Sequence, residues 1–308
     1  MVGPLTFQPS ELAKISLAIW VAAYLARRKP PRSLGELMRP IGLTVGVFCG
    51  LIVIEPDLGT VIALVLVIGT ILVVSGAPLR VLAGGGAIIS ALALAAIWVT
   101  PYRRERFLAF LDPWQDAQGT GYQTVQAMMG LASGGWFGTG LGQGVAKVNY
   151  LPEAHTDMIF AIVGEELGLM GASAIVGAYL AFAYAGLRVA LRCKDPFGKR
   201  LAAGMTALVS GQALINLAAV LGLAPLTGIT LPFVSYGGSS LVVSLAAVGV
   251  LLNIAGDGGR ARASLPDRGR GNSRSRRAVA GGRGRARSAR SARDVRRVAG
   301  SRRSAARS

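Results

Sequence analysis

Apolar stretches of about twenty residues recur along this chain, and a helix of that length crosses about 30 Å of hydrocarbon. Hydrophobic residues make up 52% of the sequence, and the mean hydropathy is +0.50. Strand-like alternation is absent, and in lipid only helices and closed barrels satisfy their own backbone groups. The pattern predicts an all-α integral membrane protein, a polytopic helical bundle. Its seven expected spans lie near residues 9–26, 39–55, 58–77, 81–100, 158–187, 201–223 and 239–255.

The basic residues of the short connections predict the orientation, because cytoplasmic loops are enriched in Lys and Arg. With seven spans, the clusters at 27–32, Arg80 and 188–200 fall on one side together with the C-terminus. That side is predicted to be the cytoplasm. The connections at 55–57, 102–157 and 225–240 are then extracytoplasmic. Arg103, Arg104 and Arg106 would also lie outside, and we interpret them as functional or headgroup-binding residues.

The charge predicts two regions, a transmembrane domain over residues 1–256 and a tail over residues 257–308. The tail holds 17 Arg and 3 Asp, a net charge of +14, with almost no large apolar residue, and such compositions do not fold. A disordered cytoplasmic tail could bind anionic lipids. A merely solvated tail, or an extension read out of frame, remains an alternative. Nucleic-acid binding is disfavoured because no aromatic residue interleaves the arginines.

The long polar connection of about residues 101–157 is the first place to look for chemistry, since connections of this length are usually functional. It ends in Leu-Pro-Glu-Ala-His-Thr-Asp, which contains the only histidine of the chain. Glu153, His155 and Asp157 therefore reach the mouth of an apolar helix. Thr156 or Asp157 as a simple helix cap is the alternative. A metal site made of these three residues is disfavoured, because the spacing matches no recognised zinc motif.

Several charged residues lie at or inside the predicted spans, where they are costly unless they face a polar cavity. Glu11 and Lys14 are three residues apart on one helical face and can pair. Asp57 can cap the helix that follows it. At least one of Glu165 and Glu166 should face a cavity or accept a helix-end partner. For Glu11 and Asp57, an ordinary helix entry or cap is the alternative to lining a cavity.

The segment 225–240 is apolar but contains helix-breaking residues, and irregular backbone at membrane depth must be covered by protein or water. We expect it to line the same outer cavity, with Ser235, Gly237 and Gly238 as candidate substrate-binding residues. Gln212 and Asn216, in the preceding span, are expected to make interhelical hydrogen bonds.

Four motifs in order resemble the SEDS family (shape, elongation, division and sporulation): Gln8 to Lys14, Glu55 to Thr60, Leu151 to Asp157 with Gly164 to Gly168, and Leu231 to Ser240. The Pro-Glu-Ala-His-Thr-Asp sequence is more similar to the division members of the family than to the elongation members. The family has ten spans, and its motif at Gln8 opens the fourth. The resemblance therefore implies that this chain lacks the first three spans.

The resemblance implies a peptidoglycan glycosyltransferase that polymerises lipid II outside the membrane, in septal wall synthesis. The implied partners are a class B penicillin-binding transpeptidase and other divisome membrane proteins. It places the essential loop aspartate at Asp157 and other polar cavity residues at Glu11, Lys14 and Asp57. The cation for the leaving pyrophosphate would be a basic residue or a divalent ion, Mg²⁺ or Mn²⁺, with no other cofactor implied. The basic candidates are Lys14, Arg103, Arg104, Arg106 and Lys147. A lipid II flippase and a non-catalytic divisome scaffold are the alternatives.

Overall fold

The computed structural model of the chain describes residues 8–55, 57–145, 152 and 155–263, with side chains described to residue 256. The described part is helical and contains no strand. Its helices are α1 (Pro9–Arg27), α2 (Leu34–Leu37), a π-helical turn (Met38–Gly42), α3 (Leu43–Ile54), α4 (Leu58–Val74), α5 (Leu79–Val99), α6 (Pro101–Leu111), α7 (Tyr122–Gly134), α8 (Ile159–Arg192), α9 (Pro196–Val220) and α10 (Gly238–Ala263).

The predicted all-α bundle is confirmed, and a helix lies at each predicted span. Within the described residues, five segments are long and apolar enough to cross a membrane: Leu34–Ile54, Leu79–Val99, Ile159–Arg192, Pro196–Val220 and Gly238–Gly256. Helix α4 is apolar but shorter. Helix α10 continues past residue 256, where the tail was predicted to begin. The rest of that tail, residues 264–308, lies outside the described residues.

Helix α9 is the centre of the bundle. In its most apolar stretch of 18 residues 78% is buried, whereas the corresponding share for α5 is 11%. Small residues let its neighbours approach closely, as in membrane helix packing generally. Gly204 lies against Ile71 of α4 and Ala18 of α1, and Gly211 lies against Leu66 of α4. A larger residue at either glycine would meet these side chains. The central position of α9 lets it contact the helices and loops that carry the candidate site.

The connection 101–157 is more ordered than its polar composition suggested, because it contains α6 and α7. A turn at residues 112–121 joins the two helices. Helix α7 then crosses α8 so closely that a side chain at Gly134 would meet the Gly164 carbonyl. The Gly-rich stretch that follows α7 packs against the backbone of α8.

Helix α8 is interrupted at Gly168, whose φ of 66° and ψ of −164° are not helical. The interruption frees the amides of Leu169 and Met170, which donate to the carbonyls of Gly135 (2.9 Å) and Trp136 (3.2 Å). It also frees the carbonyls of Glu165 and Glu166. These accept from the amides of Thr139 (2.9 Å) and Gly140 (3.1 Å). Residues 135–140 are thus spliced into the hydrogen-bond ladder of α8, and we call this arrangement the splice.

The side chains of Glu165 and Glu166 reinforce the splice. Glu166 accepts hydrogen bonds from the amides of Gly142 (3.0 Å) and Gly144 (3.3 Å), and Glu165 accepts from the amide of Val145 (2.8 Å). This confirms the expectation that at least one of these carboxylates finds a partner at a helix end or in a cavity. Their negative charge is stabilised by backbone N–H groups. Both glutamates therefore hold the loop 135–145 on α8.

Candidate active site

Asp157 lies half-buried in the turn before α8. Its backbone carbonyl accepts a hydrogen bond of 2.6 Å from Nδ2 of Asn216, and its Oδ1 accepts one of 3.3 Å from the Thr156 hydroxyl. Met158 is the N-cap residue of α8 and makes no side-chain capping bond. Neither Thr156 nor Asp157 occupies the cap position that was considered for them. The backbone of Asp157 is thus fixed by α9, at the start of α8.

Asn216 joins two loops rather than two helices, which corrects the sequence prediction for this residue. Its Nδ2 also donates to the carbonyl of Ile229, at 2.8 Å. Close by in the chain, the amide of Tyr236 donates to the carbonyl of His155, at 2.8 Å. The side chain of His155 is exposed. Residues 155–157 are therefore attached at two points to the segment 221–237, between α9 and α10: directly through the Tyr236 amide, and indirectly through Asn216 of α9, which bridges Asp157 and Ile229.

The segment 221–237 is irregular, as predicted, and several bonds hold it in shape. The Ser235 hydroxyl accepts from the amide of Leu231 (2.7 Å), whose carbonyl accepts from the Ser235 amide (3.0 Å). The Tyr179 hydroxyl of α8 donates to the carbonyl of Pro232. Ser235 thus closes a turn. Gly237 has neighbours at ordinary van der Waals distance, and Gly238 opens α10 with nothing nearby.

Asp57 lies at the start of α4 and faces the same segment. Its carboxylate caps the helix, accepting from the Thr60 amide (2.9 Å) and hydroxyl (2.6 Å), which confirms the predicted cap. Two residues on, a Cβ at Gly59 would lie 2.8 Å from both Thr227 and Ile229. The close approach that glycine permits brings the Asp57 end of α4 onto residues 227–229. Asp57 and Asp157 are therefore both anchored around one stretch of backbone.

Glu11 and Lys14 form the predicted pair, with Nζ 2.8 Å from Oε1. Glu11 is 6% and Lys14 1% exposed. The Ala18 contact with Gly204 sets the register of α1 on α9. Glu11 Oε2 and both amide atoms of Gln212 have no hydrogen-bond partner within the described ranges. Buried polar atoms without a described partner thus occur on both α1 and α9, and those of α9 lie about one turn before Asn216.

The basic candidates differ in whether the side chain is already hydrogen-bonded within the protein or is exposed. The guanidinium of Arg103 donates to the carbonyl of Val53, at 2.5 Å, and its Nε is buried without a partner among the described residues. Arg106 is exposed and stacks on Tyr102, 5.4 Å from the ring centroid. It also shares a cavity of about 40 Å³ with Leu226 of the segment 221–237. Lys147 and Glu153 lie outside the described residues.

The other aspartates of this region serve turns. The Asp112 carboxylate accepts from the amide of Trp114, at 3.2 Å. Asp116 accepts from the amide of Thr120, at 2.9 Å, and this hydrogen bond lowers the pKa of the exposed Asp116 carboxyl below its ordinary value. Among the described residues, no three His, Cys, Asp or Glu side chains are grouped as metal ligands. Asp157, Asp57, Arg103 and Arg106 are thus the candidate residues of this region whose surroundings the structure describes.

Comparison with known proteins identifies the family of the chain. The family of FtsW, RodA and SpoVE, described as cell cycle protein, matches residues 1–258. The chain belongs to this family. The match includes every described residue of the candidate site, so the resemblance seen in the four motifs is confirmed. Family members are polytopic membrane proteins, in agreement with the apolar helices.

Similar proteins carry the name probable peptidoglycan glycosyltransferase FtsW. One from Mycobacterium tuberculosis is 46% identical over 257 residues, which cover 83% of this chain and 49% of that protein. One from Geobacter sp. strain M18 is 41% identical over 251 residues, covering 80% of this chain and 68% of that protein. The chain thus spans about half the length of its mycobacterial relatives.

Solved structures share the fold. One, from a study of the structural coordination of polymerization and crosslinking by a peptidoglycan synthase complex, has a TM-score of 0.70 at 32% identity. It covers 84% of this chain and 72% of the solved one. The rod shape determining protein RodA of Thermus thermophilus has a TM-score of 0.58 at 29% identity, and covers 83% and 68% of the two chains.

Proposed function

We propose that this chain is the catalytic membrane part of a peptidoglycan glycosyltransferase that polymerises lipid II in septal wall synthesis. The observation that carries the proposal is the Asp157 carboxylate, whose backbone is held by Asn216 at the start of α8. The names of the similar FtsW proteins support the same reaction class. The site would face the outside, with the basic connections and the C-terminus in the cytoplasm.

Asp157 would act as the general base. The new β-1,4 bond forms when a sugar hydroxyl attacks the anomeric carbon of a second lipid-linked sugar, and the hydroxyl proton passes to the Asp157 carboxylate. The bond from the anomeric carbon to the pyrophosphate breaks, and undecaprenyl pyrophosphate leaves with the electron pair. A positioned base of this kind contributes about 10²–10⁴-fold to the rate. Displacement by a single nucleophile inverts the anomeric carbon.

The lipid chain of the substrate has a suitable place beside this site. An apolar groove of about 500 Å³ runs between α3, α4 and α5, and Val53 and Leu58 belong to its lining. These two residues flank Asp57, and Val53 is the residue whose carbonyl binds Arg103. A polyprenyl chain in the groove would bring its pyrophosphate to this end. Arg103, whose buried Nε has no partner among the described residues, and the exposed Arg106 would then stabilise the negative charge that develops on the leaving group.

A divalent ion is an alternative source of positive charge. Carboxylate oxygens such as those of Asp57 and Asp157 suit Mg²⁺ or Mn²⁺, which usually binds one or two protein carboxylates together with substrate phosphates. Such an ion would supply Lewis-acid stabilisation of the pyrophosphate. The role of Asp57 would then extend beyond its capping bond. The proposed protein partners are a class B penicillin-binding transpeptidase and other divisome membrane proteins.

The test compares Asp157→Asn with the matched variant Asp116→Asn, which alters an exposed turn of the same connection. The unaltered chain, purified with its cognate transpeptidase, should convert fluorescent lipid II into glycan strands that resolve on a gel. Asp157→Asn should lower that rate by at least about 100-fold, and Asp116→Asn should leave it unchanged. Equal rates for Asp157→Asn and the unaltered chain would remove Asp157 as the base. Movement of lipid II across the membrane of vesicles without polymer formation would favour a flippase. Absence of both transport and polymerisation would favour a scaffold.

A further inference from the structure

The loop 135–145 presents apolar side chains at its tip although its backbone is fixed. Trp136 is 69%, Phe137 80% and Leu141 76% exposed. The splice and the two glutamate side chains hold the loop on α8, so these residues cannot fold back into the bundle without breaking several hydrogen bonds. A fixed patch of exposed aromatic residues usually marks an interaction surface. The proposed chemistry does not use any of the three.

The length of α8 gives the depth of this loop in the membrane. From Gly168 to Arg188 the helix rises about 30 Å, which equals the thickness of the hydrocarbon core. At one end the guanidinium of Arg188 stacks on Tyr184, 5.5 Å from the ring centroid, and Arg192 follows in the last turn. Aromatic and basic residues of this kind are enriched at a membrane surface. The interruption at Gly168 therefore lies at the opposite surface.

The exposed loop residues continue the lipid-facing surface of α8. Leu169 and Met170, the first residues past the interruption, are 51% and 60% exposed. Their amides donate to the carbonyls of Gly135 and Trp136. The backbone of the loop at Trp136 is therefore bonded directly to the exposed part of α8, and Phe137 is the next residue. Trp combines an apolar body with a polar N–H and prefers the boundary between acyl chains and headgroups.

We infer that Trp136, Phe137 and Leu141 form a membrane-surface anchor, inserted at the boundary between lipid headgroups and acyl chains on the side of the connection 101–157. The ligand is the lipid surface itself. Because the splice joins this loop to Glu165 and Glu166, the anchor also sets the height of the first turns of α8. Asp157, at the start of α8, is thereby held at a fixed distance from the membrane. The inference depends on the membrane fold and is independent of the reaction proposed above.

The experiment measures the depth of Trp136 by fluorescence quenching. The chain carrying Trp20→Phe, Trp98→Phe and Trp114→Phe keeps Trp136 as its single tryptophan, and is reconstituted into phosphatidylcholine and phosphatidylglycerol vesicles. The lipids carry bromine either near the headgroups or near the chain ends, and iodide is the aqueous quencher. The matched control keeps Trp98 alone, because Trp98 is 62% exposed near the end of the apolar helix α5. A second reporter, Phe137→Trp in a chain whose four native tryptophans are Phe, tests the neighbouring position.

If the loop is an anchor, bromine near the headgroups should quench Trp136 more strongly than bromine near the chain ends. Iodide should have almost no effect, and the Phe137→Trp reporter should give the same pattern. Trp98 should be quenched by brominated lipid in the same vesicles, which shows that the reconstituted chain spans the bilayer. Strong quenching of Trp136 by iodide would place the loop in water and overturn the inference. Protection from every quencher would mean that protein covers the patch, from this chain or a second copy, and would also overturn it. Stronger quenching by deep than by shallow bromines would exclude a surface position.

Discussion

Asn216→Leu is the substitution that tests most directly how Asp157 is held in place. The side chain is 2% exposed, and its Nδ2 donates to the carbonyls of Asp157 (2.6 Å) and Ile229 (2.8 Å). Leucine has a similar size but donates neither bond. Each lost hydrogen bond removes about 0.5–1.5 kcal/mol, and a carbonyl left unpaired in the interior costs about 1–3 kcal/mol. We expect a loss of about 2–4 kcal/mol in the free energy of unfolding.

Gln212→Leu is the matched control, one turn earlier on the same helix and 1% exposed. Neither amide atom of Gln212 has a hydrogen-bond partner in the described part of the chain. Replacing it therefore removes two buried polar atoms without breaking a bond. We expect a change within about 1 kcal/mol, or a gain in stability, because an unpaired buried polar group is itself unfavourable.

The assay is thermal unfolding of both variants in the same detergent at one scan rate, because unfolding of large proteins is often irreversible. About 2–4 °C per kcal/mol is typical of domains of about 150–250 residues, so Asn216→Leu should lower the Tm by roughly 4–16 °C. Its rate of lipid II polymerisation should also fall, because residues 155–157 lose one of their two attachments to the segment 221–237. An equal loss of Tm for Gln212→Leu would refute the reasoning, since bulk at this face of α9 would then matter and the two bonds would not.

Three further substitutions test other contacts. Gly168→Ala should destabilise the chain by about 1–3 kcal/mol from backbone strain alone, because the φ of Gly168 is 66° and a Cβ would lie 2.4 Å from the Gly138 amide nitrogen. The control is Gly177→Ala, since a Cβ at Gly177 would have no atom within 4 Å. In the same unfolding assay this control should be neutral or should stabilise the chain by up to about 1 kcal/mol. Glu11→Gln leaves the buried Lys14 charge without its partner and should cost about 3–5 kcal/mol, and adding Lys14→Met should restore much of the Tm; failure to restore it would contradict a charge-based cost. Asp57→Ala should lose about 0.5–2 kcal/mol of capping energy, whereas Asp57→Asn should keep most of the Tm, and equal losses for the two would contradict a capping role.

Local patterns predicted much of the scaffold. Apolar runs gave the positions of the long helices because hydrophobic length alone decides whether a helix spans a membrane. The pairing of Glu11 with Lys14 and the capping by Asp57 were also predictable, since each involves residues three positions apart. Such short-range contacts depend only on helix geometry.

The contacts around Asp157 were not predictable in the same way. Asn216 reaches a residue 59 positions earlier in the chain, and the interactions of Thr139 with Glu165 cross 26 positions. Hydrophobic periodicity contains no information about such pairs. Helices α6 and α7 were missed because the connection is polar and rich in glycine. The two consecutive glutamates were the best available signal that a loop would bind α8 there.

The splice constrains how the length of this region can vary. Two carbonyls, of Gly135 and Trp136, and two amides, of Thr139 and Gly140, must meet matching groups of α8 at once. An insertion or deletion between Trp136 and Thr139 would change the spacing between the two carbonyls and the two amides, so that both pairs could no longer bond to α8 at once. Among the described residues, the turn at 112–121 has no such double attachment. Differences in loop length among natural variants should therefore accumulate between α6 and α7, and the spacing from Gly135 to Gly140 should stay constant.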